Sequence, residues 1–264
     1  MKRFQLMNPQ VILPDKQLTE YIQHFLVYET KNKQASTHIS VFPDGHPGII
    51  FFKGDNGIYQ TPPVQQPTCF YISGQNMHPT FIKIPGRFIW IAAKLRPYAL
   101  KNMFAITSKE IGPYCMSIEQ DFPAVLAKLN DAKNSKAIIR ILQQFIKECT
   151  NTNGHKIHEI VKKCTQLIIK KHGTISMKEL REAFNLSERT LQRYFLAEMG
   201  IPPKRFARII HFHYAFQTLT TEDQKRIADI AYEKGFADPA HFSRTIKRFT
   251  GQSPTGFLLK RRSL

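Results

Sequence analysis

From Thr37 to about Leu95 the apolar positions come in short bursts: His38–Phe42, Ile49–Phe52, Cys69–Ile72, Phe81–Ile84 and Phe88–Ala92. Between them stand turn clusters, Pro43-Asp44-Gly45, Asp55-Asn56-Gly57, Pro62-Pro63, Ser73-Gly74 and Pro85-Gly86. Bursts rich in β-branched and aromatic residues and bounded by such clusters predict strands. Asn-Gly supplies the positive φ of a tight turn, so Asp55–Gly57 is the strongest hairpin signal. Strands this closely spaced, with no helical stretch between them, predict an antiparallel barrel or sandwich of cupin-like type, flanked by helices.

After about Tyr98 the period changes to that of a helix. In Ser135–Cys149, residues Ile138, Leu142, Phe145 and Cys149 recur at steps of four, three and four and form one apolar stripe. The stripe fits two roles equally well, pairing with its copy on another subunit or packing on its own barrel. The polar, turn-prone stretch Asn151-Thr152-Asn153-Gly154 marks a boundary, giving a β-rich domain over 1–152 and an all-α domain over 153–264. Beyond it Ile157, Ile160, Cys164, Leu167 and Ile168 trace a further amphipathic helix.

The helical half contains one short pattern twice. Leu191-Gln192-Arg193-Tyr194-Phe195, then Gly200-Ile201-Pro202-Pro203 and Phe206, is answered by Phe242-Ser243-Arg244-Thr245-Ile246, then Gly251-Gln252-Ser253-Pro254 and Phe257. Arg193 matches Arg244, Gly200 matches Gly251, and Pro203 matches Pro254 at a constant offset. In the first copy Met177–Phe184 predicts a short helix, Asn185-Leu186 a turn, and Ser187 the N-cap of a helix from Glu188 to about Met199. Leu191, Tyr194 and Phe195 share one face, while Arg189, Gln192, Arg193 and Leu196 share another. In the second copy Ile227–Lys234 is the short helix and Gly235-Phe236 the turn; Asp238 caps a helix to Phe249, with Pro239 at its first position. Asn185 and Gly235 are residue types that tolerate a left-handed turn. Gly200 suits the left-handed residue that closes a helix.

Helix, tight turn, helix, with arginine, amide and hydroxyl side chains outward, is how a helix-turn-helix reads a major groove. Arginine can grip guanine in two places and glutamine adenine, each for roughly 1–3 kcal/mol of discrimination. The linking segment Pro203–Leu219 predicts one helix, about 25 Å long at ~1.5 Å per residue. Such a rod can hold two recognition helices about one DNA turn, ~34 Å, apart.

Charge agrees with this reading. The 264 residues carry a net charge of +18. Residues 155–264 hold 21 Lys+Arg against 10 Asp+Glu, and residues 1–154 hold 17 against 10. A basic domain attracts a polyanion, nucleic acid or membrane surface alike. Met1 to Gln10 shows no secretory pattern, and no apolar run approaches membrane-spanning length, so a cytoplasmic protein is expected. Cys69, Cys115, Cys149 and Cys164 form no C-x-x-C pair and read as reduced thiols.

On these residues the region Ile157–Phe257 resembles the AraC/XylS family of bacterial transcription regulators. The second copy carries the resemblance most closely, through Ile230-Ala231, Gly235-Phe236, His241-Phe242-Ser243-Arg244 and Phe249-Thr250-Gly251-Gln252-Ser253-Pro254. The resemblance implies that Arg189, Thr190, Gln192 and Arg193 of one helix, and Ala240, Ser243, Arg244 and Lys247 of the other, face promoter DNA. It also implies RNA polymerase as a partner, activation as the habitual outcome, a small-molecule effector and a homodimer. The family often has arginine within the linking helix where this chain has His211, and Pro239 and Ala240 offer few hydrogen bonds. The N-terminal part resembles the sensor region of some of these regulators, through Pro43-Asp44-Gly45 with Ile49–Phe52, Ser73-Gly74-Gln75 and Ala93-Lys94-Leu95-Arg96-Pro97.

The aromatics Phe51, Phe52, Tyr59, Phe70, Tyr71, Phe81, Phe88 and Trp90 either line an effector pocket or fill the barrel, and filling is the commoner role. The rival function is a metal-dependent β-barrel enzyme with an appended helical domain. His38, His46 and His78 invite it, but the paired histidines with a following glutamate that such barrels use are missing. His211 and His213 fall on different helical faces, and His155, His158 and Cys164 read as ordinary residues near a helix start. No cofactor, metal or catalytic residue is expected, and an RNA chaperone is disfavoured because no aromatic platform interleaves the basic residues.

Overall fold

The computed structural model describes residues 9–61, 69–75, 77–112, 115–152, 155–222 and 225–262. The chain divides into two compact units. One comprises Met1–Val41, His46–Gln75 and Thr80–Ile157; the other comprises Phe42–Gly45, Asn76–Pro79 and His158–Leu264.

The first unit is built on strands β1 (Gln10–Ile12), β2 (Ile22–Thr30), β3 (Ser36–Val41), β4 (Gly48–Gly54), β5 (Tyr59–Thr61), β6 (Phe70–Ser73), β7 (Thr80–Pro85), β8 (Phe88–Leu95) and β9 (Met116–Ser117). Its helices are α1 (Ala99–Phe104), α2 (Ser108–Ile111), α3 (Pro123–Asp131) and α4 (Ser135–Thr152). A six-stranded sheet runs β1-β2-β8-β4-β6-β9 and a three-stranded one β3-β7-β5, with every pairing antiparallel. These are two open sheets, not a closed barrel, and they form the sandwich alternative.

The large sheet is covered on both faces. Ile50, Phe52, Tyr71, Trp90 and Ala92 share a core with Ile39, Ile82 and Ile84 of the small sheet. The alternate residues Ile49, Phe51, Phe70, Ile72, Ile91 and Ala93 meet Leu100, Met103, Leu129, Leu142 and Phe145 of the helices. A strand buried on both sides has no polar face to show, which is why Phe88–Ala93 reads as an unbroken apolar run. The α4 stripe Ile138, Leu142, Phe145 and Cys149 lies in this same core, so it packs on its own sheet. The eight aromatics divide likewise: Phe51 and Phe70 sit on the helix side, Phe52, Tyr71, Phe88 and Trp90 lie between the sheets, Phe81 is half-buried and Tyr59 is exposed.

Four strands, β1, β2, β5 and β9, escape the sequence pattern. In β2 the register shifts between Ile22 and His24, so its buried Ile22, Phe25 and Val27 do not keep a period of two. The Asp55–Gly57 hairpin is a correction. Gly57 does take positive φ, +74°, yet β4 pairs with β6 and β8 while β5 pairs with β7, so the turn passes the chain from one sheet to the other. Asn151 and Thr152 are the last residues of α4, not a turn; Pro62-Pro63 and Asn153-Gly154 lie outside the described residues.

The second unit holds α5 (Glu159–Lys170), α6 (Met177–Ala183), α7 (Glu188–Met199), α8 (Pro203–Thr221), α9 (Ile227–Glu233), α10 (Pro239–Thr250) and α11 (Pro254–Arg262). Its core gathers Leu180, Leu191 and Phe195 with Ile230, Phe242 and Ile246 around Phe206, Ile209, Phe212 and Leu219 of α8. No helix among the described residues is long and apolar enough to cross a membrane.

Candidate nucleic-acid interface

Helices α6–α7 and α9–α10 are two copies of one backbone device. In the first, the amide of Leu186 donates to the Arg181 carbonyl (3.0 Å) and that of Asn185 to the Glu182 carbonyl (3.3 Å). In the second, Phe236 donates to Ala231 (3.0 Å) and Gly235 to Tyr232 (3.1 Å). These are the paired bonds of a left-handed helix end, with Asn185 at φ +50° and Gly235 at φ +76°. The next helix is then capped: Ser187 accepts from the amide of Thr190 (3.1 Å) and Asp238 from that of His241 (2.6 Å). Both recognition helices close on a left-handed glycine, Gly200 at φ +75° and Gly251 at φ +77°.

Their inner faces correspond residue by residue at 51 positions' separation: Leu191 with Phe242, Phe195 with Ile246, and Met199 with Thr250, all buried. Thr250 replaces a sulfur with a hydroxyl, and its oxygen donates to the Ile246 carbonyl at 2.8 Å, so the buried polar atom is satisfied.

The outer faces carry the predicted residues. Arg189, Gln192 and Arg193 are exposed on α7, as are Ala240, Arg244 and Lys247 on α10. Ser243 and Thr190 are half-buried. The Thr190 hydroxyl accepts from Ser187 Oγ at 2.9 Å, so this side chain belongs to the cap as much as to the surface. Gln192 Nε2 lies 3.4 Å from Glu188 Oε1, a long bond on an exposed face that leaves the amide able to turn outward. The structure thus sets the first four residues on one helix face and the second four on another, each over a rigid apolar layer.

The residues assigned to DNA do not include His241, nor Leu196, although the helical phase puts Leu196 on the outward face. His241 is exposed at the position matching Thr190, and Leu196 is exposed at the position matching Lys247. The constant offset between the copies was the signal that could have added His241.

The histidines and cysteines do not converge. His158 packs its ring 4.4 Å from Tyr194, Cys164 is buried in the helical core, and the His155 carbonyl accepts from Asn102. His46 Nδ1 lies 2.8 Å from the Leu95 carbonyl. Among the described residues no group of three or more His, Cys, Asp or Glu is placed to hold a metal. Burial pushes the thiols of Cys149 and Cys164 up to about 12, so neither is a ready thiolate.

Residues 180–260 match the family model described as a helix-turn-helix domain, and residues 10–117 match a domain of unknown function (DUF6597). Over 76 residues the chain is 40% identical to the HTH-type transcriptional activator RhaS of Yersinia pestis, covering 29% of this chain and 28% of RhaS. Residues 180–260 therefore carry a helix-turn-helix domain of the AraC/XylS type. An uncharacterized HTH-type transcriptional regulator of Staphylococcus aureus is 28% identical over 135 residues, 48% of this chain. The match spans 18% of that relative's length. ToxT from Vibrio cholerae O395 superposes over 91% of this chain and 98% of its own with a TM-score of 0.50 at 13% identity, a likeness of fold.

Proposed function

We propose that this chain is a sequence-specific DNA-binding transcription regulator of the AraC/XylS family, acting in the cytoplasm and not as an enzyme. Its two recognition helices, α7 and α10, enter successive major grooves of a promoter. The observation that carries this reading is the duplication itself: two helices capped at both ends in the same way, by a side-chain oxygen and a left-handed glycine, each with an arginine, Arg193 or Arg244, exposed at the same position over a matching buried layer. Arg189, Thr190, Gln192 and Arg193 serve one half-site; Ala240, Ser243, Arg244 and Lys247 serve the other. Lysine and arginine contacts to phosphate supply affinity that falls with salt, and the groove-facing side chains supply sequence. The domain assignment behind this reading gives 1–152 to sensing and dimerisation and 153–264 to DNA. An effector acts on the β-rich part by binding two states of the protein with different affinity, and RNA polymerase is the partner through which transcription is activated.

Selection of bound sequences from a random duplex library at near-physiological salt tests the proposal. Two enriched motifs about one helical turn apart are expected. Binding without enrichment would mean charge without readout, and the reading would fall.

A further inference from the structure

One stretch of α8 touches both the turn that precedes the first copy and the turn inside the second. On the side of the first, a Cβ at Gly173, in the turn before α6, would fall on the Ala207 carbonyl oxygen and the His211 amide nitrogen, so that turn lies directly on the α8 backbone. His172 stacks on Tyr214 with centroids 3.7 Å apart and planes 6° from parallel. On the side of the second copy, Lys234 Nζ stands 4.5 Å from the Tyr214 ring. His211 Nε2 lies 2.6 Å from the Lys234 carbonyl, the last residue before the left-handed Gly235. The His211 ring is also stacked on Phe236, 4.2 Å away at 17°, and Phe236 meets the recognition-helix residues Phe242 (5.2 Å) and His241 (5.3 Å) edge-on.

Among the described residues no stacked ring pair includes the turn of the first copy. Its turn presents Leu186 where the second presents Phe236, and Ser187 follows at once. In the second copy Ala237 intervenes before the cap, so the turn is one residue longer. A longer turn leaves the following helix freer to swing unless something outside it holds the turn. A ring plate and a directional hydrogen bond together fix the position and rotation of what they hold.

We infer that the His211–Tyr214 turn of α8 is the hub that sets the orientation of the second recognition helix against the first, with His211 as the positioning residue. The consequence for half-site spacing rests on the DNA-reading function proposed above; the mechanical role does not.

The test uses the full chain and three variants. His211→Phe keeps the plate and removes the donor, His211→Gln keeps a donor and removes the plate, and His211→Ala removes both. Amide exchange is followed at Gly235–Asp238 and at Asn185–Thr190. The expected result for His211→Ala is exchange at least about tenfold faster in the second turn with the first unchanged, and smaller effects for the other two. Equal acceleration in both turns, or none, overturns the inference. In duplex selection, wild type is expected to fix one spacing between motifs, while His211→Ala retains the first motif and spreads the distance to the second. An unchanged spacing also overturns it. Differential exchange in a protein that enriches no motif supports the hub and removes the DNA-reading function instead.

Discussion

The two helix-turn-helix copies share a backbone and differ in what holds it. The first is stabilised locally. Ser176 accepts from the amide of Glu179 at 3.1 Å while the Glu179 carboxylate accepts from the Ser176 amide at 2.8 Å, a reciprocal cap that ties α6 to itself. In the second the N-cap of α9 is Arg226, which makes no side-chain capping bond and offers only an exposed ion pair to Asp229 at 3.5 Å. Its turn is held from α8 instead, by His211 on the Lys234 carbonyl and by Tyr214 under the Lys234 ammonium, while the exposed Glu233 carboxyl is held down to about 2 by hydrogen bonds from Lys225 and Lys234. One sequence pattern can therefore close on itself or lean on its neighbours. The copy that leans is the one whose placement depends on the rest of the domain.

The sharpest way to break this contrast is at the glycines. Gly173→Ala puts a methyl group into the α8 backbone at φ +76°, and a loss of about 3 kcal/mol or more is expected in urea denaturation. Gly235→Ala has the same φ but its nearest neighbour is Thr174 Cγ2 at 3.7 Å, so only backbone strain of about 1 kcal/mol is expected. Equal losses would mean that contact with α8 does not hold the turn before the first copy. Next come the arginines. Arg193→Ala and Arg244→Ala should each relax base preference by roughly 1–3 kcal/mol, in different half-sites, as read by competition with mutated duplexes. If both variants relax the same half-site, the two copies do not read separately. A smaller effect separates the caps: Ser176→Ala should cost about 1 kcal/mol of stability, while Arg226→Ala should cost less than about 0.5 kcal/mol. Parity between them would remove the distinction between local and borrowed stability.

The smallest effect is in pH. Burial is the main cause that holds the His211 imidazole below its ordinary value, so the folded protein favours the neutral ring. Its contribution is present above the unfolded value near 6.5 and is lost as pH falls through the lower folded one. Urea midpoints should fall on acidification below pH 6.5 more steeply in wild type than in His211→Gln. Identical slopes would show that the imidazole is not strained by its burial.

Much of the helical unit was readable in advance because its determinants are local. Asn185, Ser187, Gly200, Gly235, Asp238 and Gly251 each act on backbone within a turn of themselves, and each stands where the pattern put it. Prediction of α7 over Glu188–Met199 needed only the apolar spacing and its two caps. The partners of α8 were not readable: nothing near His211 in the chain indicates that its ring meets Phe236, 25 residues on. The outward residues could be named from helical phase, while the role of Thr190 in its own cap required the side-chain geometry.

In the β-rich unit the division falls elsewhere. Apolar bursts and turn residues announced β3, β4, β6, β7 and β8, because strand propensity and punctuation are properties of a few consecutive residues. From β2 to β8 successive strands alternate between the two sheets, so no turn among them closes a hairpin. A turn's composition permits a reversal but does not say which edge the next strand will join. That choice depends on which apolar face, helix side or sheet side, is left to be covered, and it is made by residues far apart in the chain. The sequence alone determined the elements, their caps and the repeated recognition pattern, since these are settled by sterics and hydrogen bonds within a few residues. Tertiary structure alone decided the pairing of the strands, the covering of the α4 stripe and the bracing of the second copy, since each is a competition among distant surfaces for burial.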